Sequence, residues 1–305
     1  MGLQNFFKGG KFMKKLTFKM HVHTCQLLTK KGEPLLKEIN KHNCVITPKA
    51  RVVEKGTLIP INPNKYDNTN KLSLSEFKTA VHSIKKELGI NNGRFNRIDV
   101  AFDTEISYPE IRKILLCIAH LVAVKKEIEN AIESRSVETE EVRAILVRKQ
   151  GKNAFELQIY DKKLESKAKQ PYSRVEFRYK NISEKHNLYT VLQELGKLLG
   201  CLVDSFEKME QRKISRMCTL WESEKRQHPN ISFSDFVFKY EYHFLTRNIL
   251  KSVYETALKG NFDNWLKSFR KSKCDIELVC KEDIKAIIKE MRRALRAYKN
   301  GAFSP

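Results

Sequence analysis

The chain has 305 residues, of which 41% are hydrophobic and 31% charged, with only 12 glycines and 8 prolines. This mixture excludes collagen-like, low-complexity and globally disordered proteins, and the length suggests about two domains. Lysine and arginine outnumber aspartate and glutamate by 58 to 36, which gives a formal net charge of +22. Such an excess repels itself unless a polyanion balances it, so nucleic acid is the expected partner.

The first half of the chain alternates between strand and helix patterns. Residues 14–28 and 51–62 alternate polar and apolar side chains as strands do. Residues 72–90 repeat apolar side chains at helical spacing, and Ser75 and Gly89 are the expected N-cap and stop of that helix. This part of the chain therefore predicts β structure followed by an amphipathic helix.

A second strand and helix continue this order, and three further strands follow. We predict the strand at 94–106 and the helix at 108–134, and then strands at 141–149, 154–162 and 172–180. A Gln-Gly-Lys-Asn segment joins the first two of these three strands and is a hairpin signal. The three strands therefore predict an antiparallel meander.

From about residue 182 onward the pattern becomes almost wholly helical. Helices are predicted at 185–202, 204–227, 232–258, 262–271 and 281–299. We therefore predict an α+β fold, in which an antiparallel sheet with covering helices is followed by an all-helical C-terminal region. The predicted domains are residues 1–182 and 183–305.

No apolar run reaches a membrane-spanning length, since the longest, at 115–124, is short and contains His120. The N-terminal segment lacks the apolar stretch of a secretory signal. The seven cysteines form no CxxC pair, which argues against a disulfide framework or a zinc site. We expect a cytoplasmic protein with no membrane partner.

Polar residues recur on one face of three predicted strands, because side chains in a strand alternate between faces. If the strands pair in one sheet whose other face the helices cover, this polar face gathers Asp99, Asp103, Glu156, Tyr160, Arg174 and Glu176. A solvated face with salt bridges gives the same pattern, so the pattern alone leaves both interpretations open.

This set of residues suits phosphate chemistry. Converging carboxylates bind hard cations such as Mg²⁺ or Mn²⁺, whose waters a phosphate can replace. Lys162 follows Tyr160 by two residues, and a nearby lysine or cation favours the phenolate that a tyrosine nucleophile needs. Attack of such a tyrosine on a DNA phosphodiester leaves a phosphotyrosine link.

Three segments resemble, in their order and separation, the motifs of the plasmid rolling-circle replication initiators of the staphylococcal type, the Rep_trans family. They are RFNRIDVAFDTE at 94–105, FELQIYDKKLES at 155–166 and YSRVEFRYKN at 172–181. In that family such segments supply metal carboxylates, a tyrosine nucleophile and a further acid. The resemblance therefore implies Asp99, Asp103 and Glu176 as metal ligands, Tyr160 as the nucleophile, and Lys162 and Arg174 as residues that steady the phosphate.

The resemblance also implies a function. The protein would be a replication initiation protein of a plasmid or phage-type element that needs Mg²⁺ or Mn²⁺, nicks one DNA strand and stays attached to the 5′ phosphate. Residues 1–182 would form the nicking domain, and residues 183–305 a helical DNA-binding or accessory domain. Its DNA partners would be the double-stranded origin and the single-stranded nick site. The involvement of a host helicase and of a homodimer stays open.

Two alternatives from other classes remain. One is a non-enzymatic origin-binding initiator or DNA-binding regulator, in which the polar sheet face is only a scaffold. The other is a metal-dependent nuclease that uses water, for which Tyr160 would be dispensable and the carboxylates would not.

A second motif points to another class of rolling-circle nickases. His21-Val22-His23 fits its His-hydrophobic-His signature, in which both imidazoles bind the metal, and Tyr160 with Lys163 fits its Tyr-x-x-Lys motif. The span from His23 to Tyr160 is longer than that class uses, and a His-x-His on a strand is often an exposed polar face. We therefore expect the His21→Ala replacement to have little effect.

Basic stripes run along two of the predicted C-terminal helices. The helix at 281–299 carries Lys285, Lys289, Arg292, Arg296 and Lys299 at spacings of 4, 3, 4 and 3 residues, and the helix at 204–227 carries a similar patch. A solvated helix face gives such a stripe, and so does contact with DNA phosphates. The sequence leaves this choice open.

Overall fold

The computed structural model describes residues 16–30, 36–46, 49–66, 72–90, 92–126, 132–135, 142–150, 154–162, 173–183, 187–240, 246–272 and 278–301. Their strands are β1 (Lys19–Thr29), β2 (Arg51–Val53), β3 (Gly56–Ile61), β4 (Arg94–Thr104), β5 (Ile132–Arg135), β6 (Val142–Lys149), β7 (Phe155–Asp161) and β8 (Ser173–Lys180). They form one antiparallel sheet in the order β2-β3-β1-β4-β8-β7-β6-β5.

The helices of the described residues are α1 (Leu36–Ile39), α2 (Leu74–Glu87), α3 (Tyr108–Lys126), α4 (Leu188–Asp204), α5 (Phe206–Gln227), α6 (Phe233–Lys239), α7 (Arg247–Leu258), α8 (Phe262–Lys271) and α9 (Lys281–Lys299). The predicted α+β class is confirmed, with an antiparallel sheet, covering helices and a helical C-terminal region. None of these helices combines the length and the apolar character that crossing a membrane requires.

One face of the sheet is apolar and supports the main hydrophobic core. Val100, Phe102, Leu157 and Phe177 are fully buried there, and α2, α3, α4 and α9 pack in the same core. Burial of each such side chain stabilises the fold by about 1.5–3 kcal/mol. The apolar face of the sheet is therefore covered by helices, and the polar face is not part of this core.

The boundary predicted at residues 182 and 183 falls inside this core. Ile182 and the inner faces of α4 and α9 belong to it, because their leucines and isoleucines pack toward the sheet. A second core, which contains Met217, Trp221 and Phe236, lies among α5, α6, α7 and α8. The C-terminal half is therefore shared between the sheet and a smaller helical unit, and does not form one separate domain.

Three of the predicted elements end early or are divided in the structure. The helix predicted at 108–134 ends at Lys126, and Ile132–Arg135 pairs with β6 as a strand instead. The strand predicted at 51–62 is the hairpin of β2 and β3, whose turn ends at Gly56 with a φ of 142°. The helix predicted at 232–258 is divided into α6 and α7, and residues 241–245 between them lie outside the described residues.

The N-cap of α2 is Ser73, two residues before the expected Ser75. Ser73 accepts a hydrogen bond from the backbone N–H of Glu76, and the Glu76 carboxylate accepts one from the backbone N–H of Ser73. This reciprocal pair is a capping box, which needs a serine three residues before a glutamate. Ser73 fits that spacing and Ser75 does not.

Candidate active site

Strand pairing brings the predicted tyrosine, arginine and two acids together on the polar face. Asp103 of β4 lies opposite Arg174 of β8, and Arg174 lies opposite Tyr160 of β7. Glu176 of β8 lies opposite the small, buried residue Ala101. Because directly opposite residues share a face, these four polar side chains form one cluster.

The Tyr160 hydroxyl is held by a buried carboxylate. It donates a hydrogen bond to Glu176 Oε2 at 2.8 Å, and Arg178 Nε donates to the other oxygen of Glu176 at 2.6 Å. Burial opposes ionisation of Glu176, but Arg178, His23 and the phenol outweigh it and lower the pKa of Glu176 to about 2. Glu176 is therefore a carboxylate at neutral pH and fixes the direction of the phenol.

Arg174 carries a hydrogen-bond donor that the cluster does not use. Its Nε and Nη2 atoms donate to Asp103 at 2.6 and 2.9 Å, and the side chain is buried. Its Nη1 atom is also buried and has no hydrogen-bond partner among the described residues. A buried donor without an acceptor costs about 1–3 kcal/mol, which a phosphate oxygen at this position would recover.

Lys162 lies just beyond the end of β7. Its ammonium group is 5.8 Å from the centre of the Tyr160 ring, a cation–π distance. Its positive charge attracts a phosphate. The other residues predicted around this point, Lys163 and Tyr172, lie outside the described residues.

The two histidines of β1 lie beside this cluster. A bulge in β1 interrupts the strand alternation at His23, and the ring centres of His21 and His23 are 5.9 Å apart. His21 is 2% exposed, and its Nδ1 is 3.9 Å from a carboxylate oxygen of Asp103. The pair is therefore not the exposed polar face that the sequence suggested.

His23 has the properties of an available ligand. Burial, followed by the charge of Arg174, lowers its pKa to about 4, so the imidazole is neutral at pH 7. Its Nδ1 is buried and has no hydrogen-bond partner in the part of the chain that the structure describes. A neutral imidazole nitrogen of this kind is a good donor to a transition metal.

Asp99 lies at the edge of the Tyr160 cluster, where Arg178 is 4.0 Å from Asp99 and 2.6 Å from Glu176. A bulge in β1 after Val22 places Thr24 opposite Asp99, and the Thr24 hydroxyl donates to that carboxylate. Arg97 binds both of its oxygens, at 2.7 and 2.5 Å. Asp99 and Asp103 are four residues apart on one strand, which is roughly 13 Å, so they do not reach one ion together.

The predicted carboxylate site for Mg²⁺ or Mn²⁺ does not fit this arrangement. Each of Asp99, Asp103 and Glu176 is bound by a different arginine. Within the described ranges, no three His, Cys, Asp or Glu side chains are grouped so that they could hold a metal ion. A cation bound by these carboxylates would have to displace an arginine from its ion pair. The imidazoles of His21 and His23 also lie on this face, and a cation bound by them would break no arginine ion pair.

The environment of His23 predicts a loss of stability in acid. Its pKa falls from 6.5 to about 4 on folding, so the unfolded chain binds the proton more tightly. The stabilising contribution is complete above pH 6.5 and is lost as the pH falls toward 4. We expect the free energy of unfolding, measured by urea titration in EDTA, to fall across this window less steeply for His23→Gln than for the wild type. The same change at the exposed His228 should leave the slope unchanged, and equal slopes for all three proteins would contradict the assignment.

No family model and no curated protein matches this sequence. Among solved structures, the chain is similar to the rolling circle replication initiator protein from Geobacillus stearothermophilus. The sequence identity is 11% and the TM-score is 0.33, over 58% of this chain and 78% of that chain.

Proposed function

We propose that the protein is a replication initiator of a plasmid or phage-type element, and that it nicks one strand of DNA through Tyr160. The observation that carries this proposal is the Tyr160 hydroxyl, oriented by Glu176 at 2.8 Å beside the buried, unsatisfied Nη1 of Arg174. A nucleophile next to an unused cationic donor suits attack on an anionic phosphodiester. The net charge of +22 supports DNA as the substrate.

In the proposed step the Tyr160 oxygen attacks phosphorus and the bond from phosphorus to the 3′ oxygen breaks. The 5′ phosphate stays on Tyr160, and the 3′ oxygen takes a proton and leaves as a free hydroxyl. The phenolic proton is released to water, because Glu176, with a pKa of about 2, is too weak a base to keep it, and water supplies the proton that the 3′ oxygen takes. Arg174 would bind a phosphate oxygen through Nη1.

We propose that a divalent cation assists at this face, with His21 and His23 as its protein ligands in place of Asp99, Asp103 and Glu176. The cation would supply positive charge to the phosphate and favour displacement at phosphorus. Binding can be measured without activity, as quenching of the Mn²⁺ electron paramagnetic resonance signal by the protein. We expect the His21→Ala/His23→Ala variant to lose that quenching and the Asp99→Asn variant to keep it, and the reverse result would restore the carboxylate site.

The proposed chemistry is tested with the full chain, Mn²⁺ and a long single-stranded DNA of mixed sequence. We expect a protein–DNA adduct that survives denaturant, and a DNA-linked peptide that contains Tyr160 on mass spectrometry. An adduct on Tyr172 would move the nucleophile to another segment. Strand breaks without any adduct would indicate the water-using nuclease, and binding without breaks would indicate the non-enzymatic initiator or regulator.

A further inference from the structure

A groove lies between α4 and α9, on the side of the sheet opposite Tyr160. Both helices pack on the apolar face, and Tyr160 lies on the polar face. Gly196 and Gly200 of α4 form part of the groove floor, because a Cβ at either position would lie at ordinary contact distance, 3.5 Å from Leu295 and 3.8 Å from Arg292. The groove has a volume of about 540 Å³.

The cations of this groove outnumber its carboxylates. Lys197, Arg292 and Arg296 line it with one carboxylate, Asp204, and none of these three cations has a carboxylate within 4 Å in the described parts of the chain. Lys299 joins them and lies over the ring of Tyr189 at 5.1 Å. Charges without an internal partner are available to an external polyanion.

Other positive charges of the protein differ in this respect. The arginines of the polar sheet face are each bound to a carboxylate, as Arg174 is to Asp103. On α9 itself, Lys285 lies 3.5 Å from Glu207, and Arg293 lies 2.8 Å from Glu290. The basic stripe seen in the sequence is therefore not uniform: Arg292, Arg296 and Lys299 line the groove, whereas Lys285 is paired with Glu207 and Lys289 lies outside the groove.

The shape of the groove favours a phosphate backbone over other anionic partners. Arg292, Arg296 and Lys299 follow one face of α9 over roughly 10 Å, a length that spans about three phosphates along one strand of a duplex. No residue that lines the groove is aromatic, and the half-exposed Tyr189 ring at its edge lies under Lys299, so the groove floor offers no platform for stacking unpaired bases. Its leucines, Leu192 and Leu295, are buried and cannot insert into a lipid surface.

We propose that the groove between α4 and α9 binds the phosphate backbone of double-stranded DNA, at a site separate from the Tyr160 cluster. The choice of DNA as the polyanion rests on the proposed function. Duplex held behind the sheet would leave the polar face free for the strand that Tyr160 attacks. Changes in the groove should therefore affect duplex binding, and changes at Tyr160 should affect cleavage.

Duplex affinity measured by fluorescence anisotropy over a range of NaCl concentrations tests this groove. For Arg292→Ala/Arg296→Ala we expect the slope of log affinity against log salt to become shallower by roughly two, since each phosphate contact contributes about 0.9. The matched control is Lys289→Ala/Arg293→Ala, which removes the same charge from α9 outside the groove and should keep the wild-type slope. Equal changes for both pairs would overturn the proposal.

A second pair of variants tests the groove without removing a side chain. Gly200→Glu places a carboxylate beside Arg292 and should weaken duplex binding, whereas Gly200→Ala adds only a methyl group and should keep it. Equal affinities for these two folded variants would contradict the proposal.

Two further probes distinguish the nature of the partner. Single-stranded DNA should lose less affinity than duplex on the Arg292→Ala/Arg296→Ala change, and an equal loss would make the groove a single-strand site. Vesicles of phosphatidylserine and phosphatidylcholine should not bind through these arginines, and a loss confined to vesicles would make the groove a lipid site.

Adduct formation on single-stranded DNA should survive in the Arg292→Ala/Arg296→Ala variant. Groove-dependent duplex binding by a wild-type protein that forms no adduct would refute the proposed nicking and leave the groove in place.

Discussion

Replacement of Tyr160 by phenylalanine is expected to abolish covalent attachment to DNA and to leave folding and DNA binding nearly unchanged. Phenylalanine keeps the volume of the aromatic ring, so the substitution creates no cavity. Glu176 loses one hydrogen bond but keeps its ion pair with Arg178, so the stability cost is about 1 kcal/mol. The attacking oxygen is gone, so adduct formation should fall by roughly four orders of magnitude or more.

Tyr240→Phe is the matched control for this experiment. The Tyr240 hydroxyl donates to Glu224 at 2.6 Å, so the change removes the same kind of phenol–carboxylate hydrogen bond in the helical unit, away from the sheet. The control should form adduct at the wild-type rate, and urea denaturation should show comparable stability losses for both variants. Adduct on DNA from the Tyr160→Phe protein would exclude Tyr160 as the nucleophile.

Local alternation was enough to predict much of the sheet. Strands β6, β7 and β8 are consecutive in the chain, and each lies within one residue of its predicted limits. It was harder to predict which helices cover the sheet, because the apolar face of a helix does not indicate which element packs against it. Helices α4 and α9 resemble members of a separate domain in sequence and nevertheless cover the sheet. Strand β5 was missed for a similar reason, since its identity depends on pairing with β6.

The sequence placed Tyr160, Arg174, Glu176 and Asp103 on one face, and strand pairing brings these side chains together. It could not predict which carboxylate each arginine binds, since this depends on register between distant strands. The contact of Thr24 with Asp99 joins residues 75 positions apart and depends on a bulge in β1. The spacing of two residues between His21 and His23 was visible in the sequence. Their position beside the Tyr160 cluster depends on the pairing of β1 with β4, which the sequence does not show.

Removal of Arg178 is expected to be the most destabilising single change on the polar face. Its guanidinium lies 2.6 Å from Glu176, 2.8 Å from Glu156 and 4.0 Å from Asp99, and all three carboxylates are about 1% exposed. Arg178→Met keeps much of the side-chain volume and leaves these buried charges short of a partner. The free energy of unfolding at neutral pH should therefore fall by about 3–5 kcal/mol.

The control for Arg178→Met is Arg247→Met, because Arg247 pairs with Asp263 at the surface, with side chains 55% and 62% exposed. Loss of such an exposed pair should cost about 0–1 kcal/mol.

Acid titration of the Arg178→Met variant adds a second measurement. The low pKa of Glu176 stabilises the fold above pH 4.5, and this contribution is lost as the pH falls toward 2. Without Arg178 the pKa of Glu176 rises, so the variant should have a smaller acid-sensitive contribution from this residue, and that contribution should be lost at higher pH. A cost as small as that of the Arg247 control would mean that Lys180 and Arg97, which contact Glu156 and Asp99, are sufficient counter-ions for this face.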